Sequence, residues 1–148
     1  MLAQVTTFAI DGIEPRRVTV EVDVRQGLPA FAIVGLGDRS VREARERVRG
    51  AISNSGFTFP QCRVTVNLAP AYLRKQGPGF DLAIACGILA ASGQMPSEAL
   101  QRLAVFGELG GPNAGSFDWG LPFFYGRAVF TAIEGQSTPG GAGPYWAF

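Results

Sequence analysis

The chain has 148 residues, of which 47% are hydrophobic and 17% charged, and its formal net charge is +1. This length suits one domain, with or without an appendage, and the apolar fraction excludes global disorder. A net charge so close to zero provides no general attraction for nucleic acid, so such binding would need a local basic patch.

Residues that usually carry chemistry are scarce. Histidine is absent, and the two cysteines, Cys62 and Cys86, are not spaced as a metal pair, so we expect neither a metal nor a cofactor. Cys86 lies in an apolar run and is expected to be a buried free thiol. The first residues lack the basic and apolar segments of a signal peptide, and no apolar stretch reaches the roughly 18 residues of a membrane helix. We therefore expect a cytoplasmic protein without membrane contact.

Three strands are predicted in the first part of the chain. Ala3 to Ile10 indicates the first strand, and Asp11-Gly12 is typical of a turn. Arg17 to Val24 alternates valine with polar residues, as a strand with one buried face does. Ala30 to Val34 predicts a short, continuously apolar strand.

A helix is predicted after Gly35-Leu36-Gly37. Ser40 and Glu43 have the spacing of a capping box, and Gly56 suits the backbone conformation at a helix C-terminus. The residues that recur at helical spacing, and are expected to pack, are Val41, Ala44, Val48, Ala51, Ile52 and Ser55.

The second part of the chain predicts two more strands and two more helices. Arg63 to Leu68 indicates a strand, and Phe80 to Ala91 is apolar almost all round, which favours a centrally buried helix. Ser97 to Arg102 predicts a short helix and Ala104 to Leu109 a strand. The element order favours an α/β (α+β) fold with helices packed on a mixed sheet.

The composition changes after Leu109, and we predict a boundary near Gly110 that separates residues 1–109 from residues 110–148. Phe123 to Ile133 could supply one or two strands, and Gln136 to Pro144 indicates a loop. Aromatic residues of this tail could stack on bases, cover an open sheet edge, or be disordered. They are Trp119, Phe123, Phe124, Tyr125, Phe130, Tyr145 and Trp146.

Several motifs in order resemble the N-terminal domain of the ComM/YifB family, a ChlI-like, magnesium-chelatase-related group of AAA+ proteins. The resemblance covers residues 1–109 and implies a ribosomal S5 domain 2-like fold, shared with the Lon protease domain. It also implies an AAA+ module as partner, in a ring-shaped ATPase that acts on DNA. The matching segments are Gly35 to Asp38, Ser40 to Ala44, Thr65 to Ala71, Phe80 to Ala85, Gly87 to Gly93 and Gly107 to Leu109.

Two departures from the family pattern stand out. The sequence has no G-x-x-x-x-G-K-[ST] phosphate-binding loop, so the ATPase module is missing and the resemblance implies a truncated member. Phe117 to Phe148 instead resembles the C-terminal end of an uncharacterised group of bacterial proteins. A gene fusion, a frameshift or an assembled sequence would each produce such a chain.

The resemblance to Lon proteases raises the question of a surviving peptidase. Gly77 to Asp81 corresponds to the segment that presents the serine nucleophile, and Gly79, which has no hydroxyl, stands at that position. We therefore expect no catalytic residue, and a residual serine peptidase is the least favoured hypothesis. Anion binding at this helix start, aided by Arg74 and Lys75, is another hypothesis. Asp81 would oppose it by occupying the N–H donors.

The arginines of the first helix are a further candidate site. DNA contact, a subunit or domain interface and plain solvation stay open for this face, on which Arg42 would pair with Glu46 and Arg47 with Glu43. Our leading hypothesis is a non-catalytic structural or assembly module, with a homo-oligomer as one partner arrangement. The alternative is a DNA-binding module. The contact candidates are Arg39, Arg42, Arg45, Arg47, Arg49, Arg74 and Lys75.

Overall fold

The structure is a computed structural model that describes residues 1–109, 130–132, 137–138, 141–142 and 145–147. The chain divides into two compact units, Met1–Asp118 and Trp119–Phe148. The boundary near Gly110 stays a prediction. In the described part, no helix has the length and apolar character needed to cross a membrane.

A four-stranded sheet forms the base of the first unit, and it is mixed, as predicted. Its strands are β1 (Leu2–Asp11), β2 (Glu14–Arg25), β3 (Ala30–Val34) and β4 (Arg63–Ala69). The spatial order is β1-β2-β4-β3. β2 is antiparallel to both β1 and β4, while β3 is parallel to β4.

The alternation of valines in β2 explains which sheet face is buried. Val20 lies opposite Val5 of β1 and Leu68 of β4, and all three side chains are fully buried. Their polar neighbours, such as Thr19 and Glu21, lie on the other face. The sheet therefore has one apolar face for the helices and one polar face.

Two helices, α1 (Arg39–Asn54) and α2 (Asp81–Ala91), complete the core. α2 contacts β1 and β2, and α1 contacts α2 and β3. Ten of the eleven residues of α2 are buried, which confirms the predicted central helix. A Cβ on Gly87 would lie 2.5 Å from Cγ2 of Val22, so α2 approaches β2 as closely as a glycine allows.

The start of α1 differs from the predicted capping box. Asp38, and not Ser40, is the N-cap, and its Oδ1 accepts a hydrogen bond of 2.9 Å from the N–H of Val41. Its Oδ2 accepts another of 3.1 Å from the N–H of Gly77. Burial raises the pKa of Asp38, but the hydrogen bonds from Val41, Gly77 and Ser40 together hold it below its usual value. The second bond also joins the loops before α1 and α2.

The predicted packing of α1 is confirmed. Val41, Ala44, Val48, Ala51 and Ile52 are buried, and Ser55 is the half-buried C-cap. Gly56 follows with φ of +79°, the left-handed conformation expected at the end of a helix. This stripe places α1 beside α2.

Two predicted elements near the end of the first unit have a different form. The helix expected at Ser97 to Arg102 is a 3-10 helix, Ser97–Leu100. Ala104 to Leu109 is not a strand: Ala104 makes one bridge to Thr6, and Val105 N–H donates to the Thr6 carbonyl at 2.8 Å. The segment then leaves the sheet because Gly107 bonds to the turn before α2.

The second unit contains four short strands among its described residues. β5 (Phe130–Ala132) lies within the region where a strand was predicted, and it pairs antiparallel with β8 (Tyr145–Ala147), which was not predicted. β6 (Ser137–Thr138) pairs antiparallel with β7 (Gly141–Ala142), which corrects the loop predicted there. The predicted roles of the tail's aromatic side chains lie outside the described residues.

The two cysteines should differ in reactivity. Cys86 is buried in α2 and Cys62 is half-buried before β4, and both are free thiols. Burial raises the pKa of Cys86 to about 12, so its thiol stays protonated at mildly alkaline pH. We expect a disulfide reagent to label Cys62 in the folded chain and both thiols in urea, as peptide mass spectrometry would show. Rapid labelling of Cys86 in the folded chain would contradict the packing of α2.

Candidate functional site

The turn before α2, where the resemblance places the Lon nucleophile, is closed in this chain. A 3-10 helix, Pro78–Phe80, leads directly into α2, and Gly79 within it is buried. A Cβ on Gly79 would overlap the ring of Phe106, with even Cε1 only 2.8 Å away. A serine at this position would therefore require the Phe106 ring, which is 47% exposed, to move aside.

The Phe106 ring is held over the turn by two other aromatic rings. It stacks on Phe8 with a centroid separation of 4.5 Å and contacts Phe80 edge to face at 6.5 Å. The backbone adds two hydrogen bonds: Gly107 N–H donates to Gly79 O at 2.9 Å, and Leu82 N–H donates to Gly107 O at 3.0 Å. The segment around Phe106 thus covers the start of α2 and uses one of its N–H donors.

Asp81 does not cap α2, contrary to the prediction. Its carboxylate accepts two hydrogen bonds from Arg47 of α1, from Nε at 2.6 Å and from Nη2 at 3.1 Å, and one from Leu109 N–H at 3.3 Å. Arg47 also donates to Ser40 O at 2.9 Å. The expected surface pair of Arg47 with Glu43 is wrong, because Arg47 turns inward to join the two helices.

Burial and pairing act in opposite directions on this ion pair. The side chain of Asp81 is 0% exposed and that of Arg47 19%. Burial raises the pKa of Asp81 more than Arg47 lowers it, whereas the hydrogen bond to Asp81 raises the pKa of Arg47. Such a pair connects α1 with α2 and the segment ending at Leu109, which is a structural role.

Lys75, proposed above as an anion or DNA contact, is removed from that set by its burial. Its side chain is 0% exposed, and Nζ donates to the carbonyl oxygen of Pro70. Burial lowers the pKa of Lys75. Its backbone bonds to the loop before α1, with Lys75 N–H donating to Leu36 O at 3.3 Å and Asp38 N–H donating to Lys75 O at 3.1 Å. Lys75 therefore anchors a loop.

The arginines on the outer face of α1 are exposed, but some of them already contact other residues of the chain. Arg39 forms a 2.6 Å ion pair with Glu43, which replaces the predicted pairing of Glu43 with Arg47. The guanidinium of Arg49 lies 4.9 Å from the centre of the Phe59 ring. Arg42 is exposed, and Arg45 donates weakly to the Phe31 carbonyl at 3.5 Å. The face stays a candidate contact surface.

A basic cleft that the sequence did not predict lies at the start of β2. It has a volume of about 630 Å³ and is open to solvent. Three arginines line it, of which only Arg74 was a candidate; the others, Arg16 and Arg17, are adjacent in sequence. The sequence shows that Arg16 and Arg17 are neighbours. It does not show that Arg74 lies near them, because that depends on the antiparallel pairing of β2 with β4. The lining residues are Asp11, Arg16, Arg17, Pro70, Tyr72, Leu73 and Arg74.

Within the part of the chain that the structure describes, no group of three or more histidine, cysteine, aspartate or glutamate side chains could hold a metal ion.

The fold and the closed turn define the first unit as a mixed α/β domain of two helices on a four-stranded sheet. The family model described as subunit ChlI of Mg-chelatase matches residues 20–114. The chain therefore belongs to the ChlI family.

Several curated bacterial proteins are similar to the chain over 108 residues, or 73% of its length. They include the uncharacterized protein YifB of Salmonella typhimurium at 47% identity and that of Escherichia coli at 46%. The competence protein ComM of Haemophilus influenzae is 47% identical. The chain spans only about a fifth (21%) of the length of each of these relatives.

A second family model, described as a protein of unknown function (DUF3443), matches residues 90–148. This match overlaps the end of the ChlI match and includes the stretch from Phe117 onward, which resembles an uncharacterised bacterial group. The description of this family names no activity. It assigns no function to the second unit.

Proposed function

We propose that this chain is a non-catalytic structural or assembly module of a cytoplasmic, magnesium-chelatase-like AAA+ protein of the ComM type. In this role it would position an ATPase module or neighbouring copies of itself in a ring. DNA processing is the activity that we propose for such a complete protein. Membership of the ChlI family and the similarity to ComM and YifB support this assignment.

The closed turn at Gly79 is the observation that carries the proposal. A Lon-like peptidase needs a nucleophile at this position, with free space for the scissile carbonyl beside it. Gly79 supplies no side chain, the Phe106 ring occupies the space, and Lys75, the only lysine in the sequence, donates to the carbonyl oxygen of Pro70 instead. These contacts favour packing over hydrolysis.

Incubation of the whole chain with ATP, with unfolded casein and with a serine-directed fluorophosphonate tests the proposal. We expect no phosphate release, no casein fragments and no labelling above that of the heat-denatured chain. Turnover of ATP or casein, or labelling of a serine in the folded chain alone, would overturn the non-catalytic assignment.

Restoring the missing hydroxyl should not restore a peptidase. The Gly79→Ser/Phe106→Ala variant removes the overlap and places a serine in the turn, but Lys75 stays directed at Pro70. We expect this variant to fold and to remain unlabelled by the fluorophosphonate, because a serine without a base is a weak nucleophile. Rapid labelling would instead indicate a working Lon-like site.

Direct DNA binding by α1 is the second candidate, favoured by the exposure of Arg39, Arg42, Arg45 and Arg49. Titration of branched and single-stranded DNA at low and moderate salt tests it, because phosphate contacts weaken as salt rises. We expect Arg42→Ala/Arg45→Ala to reduce any binding through this face. Binding unchanged by this variant would remove α1 as the contact surface.

A further inference from the structure

The cleft between the start of β2 and the loop after β4 combines positive charge with an exposed aromatic ring. Arg16, Arg17 and Arg74 line it, and Asp11 is the one acidic residue among its lining residues. Tyr72 belongs to the same lining, and 86% of its surface is exposed to solvent. A large aromatic side chain so exposed contributes little to the core, and its ring is accessible from solvent.

The loop that carries Tyr72 and Arg74 is anchored in the protein interior. Buried and exposed residues alternate along it: Leu73 and Lys75 are buried, whereas Tyr72 and Arg74 are exposed. Leu73 N–H donates to Pro70 O at 3.3 Å, and the Lys75 ammonium donates to the same carbonyl. The backbone that carries Tyr72 and Arg74 is thus held in place before a ligand arrives, which reduces the entropy cost of binding.

Two of the three guanidinium groups are available to an anion. Arg16 forms a 3.1 Å ion pair with Glu14, both of them solvent-exposed. Arg17 donates only to the hydroxyl of Thr6, at 3.3 Å, and Arg74 makes no ion pair with any described residue. With Asp11 counted against Arg17 and Arg74, the cleft keeps a net positive charge beside an aromatic ring.

We propose that this cleft binds single-stranded nucleic acid. Arg17 and Arg74 contact successive phosphates, and an unpaired base stacks on Tyr72, the combination that sequence-tolerant single-strand sites use. A duplex keeps its bases paired and offers none to the ring. DNA is also the ligand of the second candidate function, but that function uses the arginines of α1 and not this cleft. The present proposal does not depend on whether the chain is catalytic.

A second basic cleft serves as the internal control. It lies at the opposite end of β2, measures about 450 Å³, and is lined by Asp23, Arg25, Gln26, Arg63 and Thr65. Arg25 and Arg63 are exposed, as Arg17 and Arg74 are, but the lining has no aromatic residue, and Arg25 is paired with Asp23 at 2.5 Å. Arg25→Ala/Arg63→Ala removes the same charge as Arg17→Ala/Arg74→Ala without touching the proposed site.

The test is a fluorescence-anisotropy titration of the whole chain with a labelled oligothymidylate across a salt series. We expect Tyr72→Ala to weaken binding about tenfold and Tyr72→Phe to preserve it. Arg17→Ala/Arg74→Ala should lower the slope of log K against log salt by roughly 1.4, about 0.7 for each lost phosphate contact. Circular dichroism verifies that each variant is folded.

The ligands supply the matching controls. On an abasic strand, which keeps the phosphates, Tyr72→Ala should bind as the wild type does. The proposal is overturned if the oligothymidylate does not bind, or if duplex DNA or polyglutamate binds equally well. It is also overturned if Arg25→Ala/Arg63→Ala or Arg42→Ala/Arg45→Ala weakens binding as much as Arg17→Ala/Arg74→Ala does.

Discussion

Replacement of Arg47 by methionine is expected to lower the free energy of unfolding by about 3 to 5 kcal/mol. Methionine keeps an unbranched apolar stem, but both hydrogen bonds to the carboxylate of Asp81 are lost. That carboxylate is 0% exposed, and of its three described donor contacts only the N–H of Leu109 remains. Urea denaturation followed by circular dichroism measures the loss.

The destabilisation caused by Arg47→Met should decrease toward acidic pH. Burial raises the pKa of Asp81, and Arg47 opposes this rise, so removal of Arg47 raises the pKa further. The folded variant then binds the Asp81 proton more tightly than the unfolded chain does. The stabilisation from proton uptake is complete below the unfolded pKa and is lost as pH rises through the folded pKa. Urea titrations of variant and wild type at several pH values measure this difference.

Two further variants separate the ion pair from general effects on α1. Arg39→Met makes the same exchange on the same helix, but Arg39 is 87% exposed and its pair with Glu43 is a surface contact, so the change should be small. Arg47→Met/Asp81→Leu removes both charges and should recover most of the stability. If Arg47→Met lowered the free energy of unfolding no more than Arg39→Met does, the pair of Arg47 with Asp81 would not stabilise the fold.

Periodicity in the sequence predicted the elements that pack through their own local pattern. The valines of β2 and the apolar stripe of α1 follow the periods of a strand and a helix, and both lie in the core. The continuous apolar run of α2 likewise predicted its burial. These features depend only on spacing along the chain, which is why they could be predicted without tertiary contacts.

The features that the sequence did not predict depend on distant partners. Ser40 and Asp38 are both good capping residues, and the bond from Gly77, distant in sequence, accompanies the choice of Asp38. Arg47 has Glu43 one helical turn away, yet it pairs with Asp81 of another helix. Lys75 lies in a loop, and no local pattern indicates its burial. The cleft beside Tyr72 is assembled by strand pairing in the same way.

Replacement of Gly35 by alanine is expected to destabilise the first unit by about 3 kcal/mol or more, as measured by urea denaturation. Gly35 has φ of +109°, a conformation that residues with a Cβ rarely adopt. An added Cβ would also lie 2.9 Å from the backbone nitrogen of Leu68 and closer still to its carbonyl oxygen. Leu68 belongs to β4 in the middle of the sheet, so its backbone cannot move aside without disturbing strand pairing.

Gly56→Ala is the control for a glycine with a positive φ but no close neighbour. Gly56 also has a positive φ, +79°, but a Cβ there would meet nothing within 4 Å. Its replacement should cost only about 1 kcal/mol, the penalty of the backbone conformation alone. If the two variants were equally unstable, the close approach of Gly35 to Leu68 would contribute nothing. A clear excess for Gly35→Ala would be the joint effect of its larger φ of +109° and its close approach to Leu68, and it would give a structural reason for glycine in a segment that also carries the family resemblance.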